Sequence, residues 1–177
     1  MEKPYTEQAI EVLGRLREPY AIIGALLATW GHYEQAVTIA TRQIEGYAAI
    51  KAQIPNPQRN QRRMSERVGH LVHLIEIYGT KVELRNLHAV LQDAARLEQV
   101  RQHLCHEMIL VHEDQDLPNV EVFHPGLPTA TNAEKRVARL KTYTFAELWT
   151  LYANSYGIGF KIKDLAGDIA TRLFDGV

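Results

Sequence analysis

Residues 20–48, YAIIGALLATWGHYEQAVTIATRQIEGYA, decide the fold. Ile23, Leu26, Trp30, Tyr33, Val37, Ala40, Ile44 and Tyr47 recur alternately three and four positions apart. That spacing lines one side of an α-helix, and a seam this long needs an antiparallel partner of similar length. Pro19 suits the first helical position, where its missing N–H would be unbonded in any case. Gly24 and Gly31 are expected to admit another backbone closely, at about 1 kcal/mol each in helix propensity. The expected fold is mainly α, an antiparallel helical bundle.

Outward from this stretch, the same periodicity continues on both sides. Thr6 predicts the cap of a short helix to about Leu16, with Ile10 and Leu13 inward. Ile54 to Arg63, carrying Pro55, Pro57 and Asn60, reads as a loop. Ser65 is expected to cap a third helix that turns Val68, Leu71, Ile75 and Tyr78 inward and stops at Gly79. Thr80 and Glu83 have the S/T-x-x-E spacing of a capping box and open a fourth helix to about Ile109, about 40 Å long. The period then shortens. Met108–His112, Val120–His124 and Arg136–Thr142 alternate as short strands, with turn residues between them. They predict a small β-hairpin or three-stranded flap at about 108–142, inserted before the C-terminal helices. Thr144 and Glu147 form a second capping box. Leu148, Tyr152, Ile162, Leu165, Ile169 and Leu173 then keep a helical phase across a break expected at Gly157 and Gly159.

The chain has 177 residues, 46% hydrophobic and 23% charged, which fits a single domain over 1–177 with a sizeable core. A net charge of −1 gives no overall attraction to nucleic acid or anionic membrane, so any such affinity must be local. The single Cys105 forms no internal disulfide and fits a reducing compartment. No apolar run approaches the roughly 18 residues of a membrane span, and the N-terminus lacks a signal-peptide layout. A cytoplasmic protein with no membrane partner is expected.

Candidate chemistry concentrates at Ala95–Glu107, Ala-Arg-Leu-Glu-Gln-Val-Arg-Gln-His-Leu-Cys-His-Glu. On a helical wheel Leu87, Leu91, Ala94, Leu97, Leu104 and Met108 share one broad side, and Arg101 falls near its centre. A guanidinium on a core-facing stripe breaks the local pattern, and such breaks mark functional or strained sites. His106 lies about 140° round the axis from Arg101. A histidine titrates near neutral pH and can exchange a proton, while a forked guanidinium suits a phosphate gaining charge. The structural alternative has Arg101 paired with a buried acid such as Glu34, and His106 bonded to helix-end carbonyls. His103, one turn before His106, either orients it, touches substrate or simply faces solvent. Arg59, Arg62, Arg63 and Arg67 give the loop a local positive charge, which either binds phosphate or is solvated surface; the first three, with position 98 of the fourth helix, are the candidate set for a nucleic-acid backbone. His70, His73 and Glu76 share a helix flank and are the strongest metal candidates. Helical di-iron sites use Glu-x-x-His pairs, however, and that spacing occurs only at Glu121–His124 in the flap. No metal and no cofactor is expected.

The Arg-x4-His spacing of Arg101 and His106, near the end of a long helix in an all-helical core, resembles the HEPN family. The resemblance covers roughly Tyr20 to Ile109 and the closing helices from Thr144, and extends to Trp30 and Glu34 on the preceding long helix. Many members are metal-independent endoribonucleases, some in toxin or defence roles. The resemblance implies that Arg101 and His106 are catalytic, with His103, Gln102 and Glu34 auxiliary. It also implies a homodimer with a composite site, RNA or nucleotide as ligand, and an antitoxin or other regulatory protein as a further partner. Its alternative outcome is a non-catalytic RNA- or nucleotide-binding or dimerisation module. Gln102 stands where members often have Asn, Asp or His. Met108 stands where members paired with a nucleotidyltransferase antitoxin often have Tyr, so nucleotide transfer to that position is not implied.

Overall fold

The structure, a computed structural model, describes residues 19–52, 63–106, 108–112, 119–124 and 139–175. In order these are α1 (Pro19–Ala52), α2 (Met64–Tyr78), α3 (Lys81–His106), β1 (Met108–His112), β2 (Asn119–His124), β3 (Arg139–Thr144), α4 (Phe145–Ser155) and α5 (Ile158–Asp175). The fold is mainly helical, with a small antiparallel sheet before the C-terminal helices. The predicted Thr6–Leu16 helix lies outside the described residues, as does most of the predicted loop, with Arg59 and Arg62. The chain divides into two compact units. One takes in the described residues of Met1–Trp30 and Ala95–Tyr156, the other those of Gly31–Ala94 and Gly157–Val177.

In the first unit, Ile22, Ile23, Leu26 and Trp30 of α1 and Leu97 and Leu104 of α3 are buried. The three strands pair in the order β1-β2-β3. Val120 pairs with Tyr143 and Val122 with Lys141. Alternation puts Val120, Val122 and Tyr143 on one side of the sheet, where all three are buried, and Leu140 on the other, where it is exposed. Thr144 leads from β3 into α4. Its hydroxyl accepts from the Glu147 N–H at 3.2 Å, and the Glu147 carboxylate accepts from the Thr144 N–H at 2.7 Å. This is the predicted capping box, and those bonds hold the Glu147 carboxyl below its ordinary value.

In the second unit, Tyr33, Ala36, Val37, Ala40 and Ile44 of α1 are buried, with Leu71, Leu74 and Ile75 of α2 and Ile162, Ala166, Ile169 and Leu173 of α5. The buried Thr41 returns its hydroxyl to the Val37 carbonyl at 2.8 Å, so it leaves no orphan donor in the core. Only Gly79 and Thr80 separate α2 from α3. A Cβ at Gly79 would stand 2.6 Å from the Ile75 carbonyl oxygen, which restricts this turn to glycine. The predicted Thr80–Glu83 box forms, with bonds of 2.7 and 3.2 Å. Arg172 of α5 donates to both Glu83 oxygens, at 2.6 and 2.8 Å. The guanidinium first, and the cap bonds after it, hold the Glu83 carboxyl below its ordinary value.

Several boundaries move. Ser65 is not a cap: α2 begins two residues earlier, at Met64 with Arg63 as its N-cap, and Glu66 accepts from the Arg63 N–H at 3.5 Å. α3 ends at His106 rather than near Ile109, because Met108 already pairs with Phe123 in the sheet. β3 runs Arg139–Thr144, later than the expected 136–142, because its register is set by β2, from His124↔Arg139 to Asn119↔Thr144. Gly157 marks the break between α4 and α5, whereas Gly159 lies inside α5. The close approach expected at Gly24 and Gly31 occurs at Gly159 instead. A Cβ there would meet the His32 carbonyl oxygen at 3.3 Å, while one at Gly24 or Gly31 meets nothing within 4 Å.

Candidate functional site

Arg101 sits on α3 one turn after Leu97 and one turn before Leu104, both buried, and is itself only part-exposed. Its guanidinium carbon lies 4.8 Å from the centre of the Trp30 ring, and Trp30 is only 5% exposed. The Arg101 Nε is buried and finds no hydrogen-bond partner among the described residues. A partly desolvated cation–π contact is worth about 1–2 kcal/mol, and an unsatisfied buried donor costs about 1–3 kcal/mol. The two nearly cancel, so packing alone does not explain a guanidinium here. Glu34 lies 3.8 Å from Arg67 of α2, and no acid pairs with Arg101 among the described residues.

His103 is two residues further on, about 200° round the helix from Arg101. It is part-buried, and its Nδ1 shares a hydrogen bond with the Tyr143 hydroxyl of β3 at 2.5 Å. The Lys141 ammonium lies 4.9 Å from the centre of the Tyr143 ring. His103 therefore ties α3 to the sheet instead of facing solvent. Gln102 is exposed, and its amide donates to Glu98 at 3.4 Å. Position 98 does not belong with the candidate cations. It is an acid, Glu98, and a carboxylate repels phosphate, so it leaves the RNA-binding set. His106 is the last residue of α3, and its side chain lies outside the described residues.

The remaining candidates are in the second unit. Arg67 donates from Nη1 to the Thr38 hydroxyl at 3.0 Å and approaches Glu34 with Nη2. Arg63, from the RNA-binding set, is exposed at the start of α2. The metal trio is divided. His70 bonds Glu45 of α1 through Nε2 at 2.5 Å, while His73 stands 3.6 Å from Glu76 on its own helix. Among the described residues no three His, Cys, Asp or Glu side chains gather as a metal site would require.

Two residues of the arrangement escaped the sequence reading, Tyr143 and Lys141. Strand alternation puts them on one side of β3, which is a local signal. Their link to His103, 40 residues earlier, has no local signature. Compared with known proteins, the chain matches no family model, no curated protein and no solved structure.

Proposed function

We propose that this chain is a metal-independent endoribonuclease of HEPN type, acting on RNA in a toxin or defence role. The observation that carries this reading is Arg101, a cation held between Leu97 and Leu104 against Trp30 with no acid partner among the described residues. A guanidinium so placed remains available to an anion. In the proposed reaction an RNA 2′-hydroxyl attacks the neighbouring phosphate. A base takes its proton, the bond from phosphorus to the 5′ oxygen breaks, and an acid protonates the departing oxygen. The products are a 2′,3′-cyclic phosphate and a 5′-hydroxyl. Arg101 stabilises the extra negative charge on phosphorus, and His106 carries the proton. Two such histidines, one as base and one as acid, require a homodimer whose two-fold axis brings the motifs together. Light scattering should give a dimer at micromolar concentration, and a monomer would remove the composite site.

A specific observation favours the second reading, a non-catalytic RNA- or nucleotide-binding module. Three of the proposed auxiliary groups already have contacts within the fold: Glu34 with Arg67, His103 with Tyr143, and Gln102 with Glu98. One assay separates the two. Purified protein is incubated with RNA in EDTA, and the ends of the fragments are analysed. Cyclic phosphate ends support the enzyme. Binding without cleavage supports the module.

A further inference from the structure

Beyond lacking an acid partner among the described residues, Arg101 has an orientation. A guanidinium is flat, its five N–H donors lie in its plane, and an aromatic ring beneath it occupies a face without using those donors. Trp30 supplies that ring at 4.8 Å. Leu97 and Leu104 flank the arginine along α3, one turn to either side. Nε is its one nitrogen that is both buried and without a partner. The terminal nitrogens also make no hydrogen bond among the described residues, yet they are not cut off from water. The fork is therefore turned outward, with its back shielded and one face covered.

We infer that Trp30 is a positioning residue that holds Arg101 as a one-faced phosphate clamp, with its terminal fork presented to a phosphate of the RNA backbone. The inference deepens the ribonuclease reading and rests on it for the identity of the ligand. Tryptophan is the best cation–π partner among the aromatic residues, and desolvation strengthens the contact. It also removes the rotamer freedom that an unsupported arginine would lose on binding. Trp30 need not touch RNA, and at 5% exposure it has little surface for a base to stack on.

The chain has two tryptophans, so Trp149→Phe leaves Trp30 as the sole tryptophan, read with excitation that spares the eight tyrosines. Trp149 belongs to α4 and packs beside Phe145, with ring centroids 6.1 Å apart. Inorganic phosphate is titrated into this single-tryptophan protein at constant ionic strength, with chloride as control. The expected result is a saturable change in Trp30 emission that disappears in Arg101→Met. The second arm is kinetic, with RNA in EDTA. Trp30→Leu should lower kcat about tenfold with little change in KM, the scale of one desolvated cation–π contact. Trp30→Phe should lose less, and Trp30→Leu with Arg101→Met should be no slower than Arg101→Met alone. If Trp30→Leu does not fold, Trp30→Phe and the titration carry the test. An emission spectrum indifferent to phosphate, or full kcat in Trp30→Leu, overturns the clamp. If RNA is never cleaved the ribonuclease reading fails, while the phosphate titration still decides the clamp. If RNA is cleaved but Trp30 is dispensable, only the clamp fails.

Discussion

Arg67 and Arg101 are two part-buried helix arginines, and each has a buried Nε with no hydrogen-bond partner among the described residues. They differ in what their terminal nitrogens meet. Arg67 uses one on the Thr38 hydroxyl and brings the other within 3.8 Å of Glu34, so it joins α2 to α1 inside the second unit. Arg101, in the first unit, meets a tryptophan ring and, among the described residues, no acid. A cation whose neighbours already answer it is part of the structure. One backed by an aromatic ring and without an acid partner among the described residues is the candidate for an outside anion. The two guanidiniums are alike in residue type and burial and differ in their neighbours.

The largest expected effect comes from Arg101→Met. RNA cleavage should fall by about 10²–10³-fold, the scale of removing one donor to a developing oxyanion. The melting temperature should stay level or rise, because a long apolar side chain suits the stripe between Leu97 and Leu104 better than a half-desolvated charge. Parallel melts and cleavage rates decide this, and a large loss of stability would make Arg101 a structural residue like Arg67.

His106→Ala should lower cleavage by about 10²-fold, the usual contribution of a positioned acid or base. If one histidine must be neutral and its symmetry mate protonated, the rate should peak between about pH 6 and 8. An unchanged rate in the variant would assign the activity to another group or to a contaminant.

Arg67→Met should act in the opposite sense to Arg101→Met. It removes the donor to the Thr38 hydroxyl, which still donates to the Glu34 carbonyl, and the cation beside the Glu34 carboxylate, but both side chains are part-exposed and regain water. The expected loss is about 1 kcal/mol, or roughly 2–4 °C in melting temperature for a chain of this size. Denaturant titration checks it, and a neutral result would remove the contrast with Arg101.

The smallest effect belongs to a third arginine, Arg172, which is fully answered by Glu83. Glu83 is held below its ordinary value in the folded chain, chiefly by this guanidinium. Its contribution to stability is therefore present above the ordinary carboxylate range and lost as pH falls through the lowered value. Arg172 is nearly half exposed, so the pair contributes no more than about 1 kcal/mol. Arg172→Ala should melt slightly lower than the parent at neutral pH, and the two curves should converge in acid. A gap that stays constant down to low pH would show that the charge on Glu83 is not involved.

The sequence alone determined the elements whose cause is local. The seam from Ile23 to Ile44 required a long helix, and the Thr80–Glu83 and Thr144–Glu147 spacings set two helix starts through bonds three residues apart. The break at Gly157 and the switch to strands at Met108 were legible for the same reason. The oddity of Arg101 was legible too, since a charge within an apolar period needs only the helix to be seen. Tertiary structure decided the partners. Four arrangements fixed there depend on residues distant in the chain: Glu34 with Arg67, His70 with Glu45 rather than His73, His103 with Tyr143, and the close approach at Gly159. Helical periodicity says which side of a helix is apolar. It does not say which of several acids will meet a given cation, because that depends on how distant segments pack together.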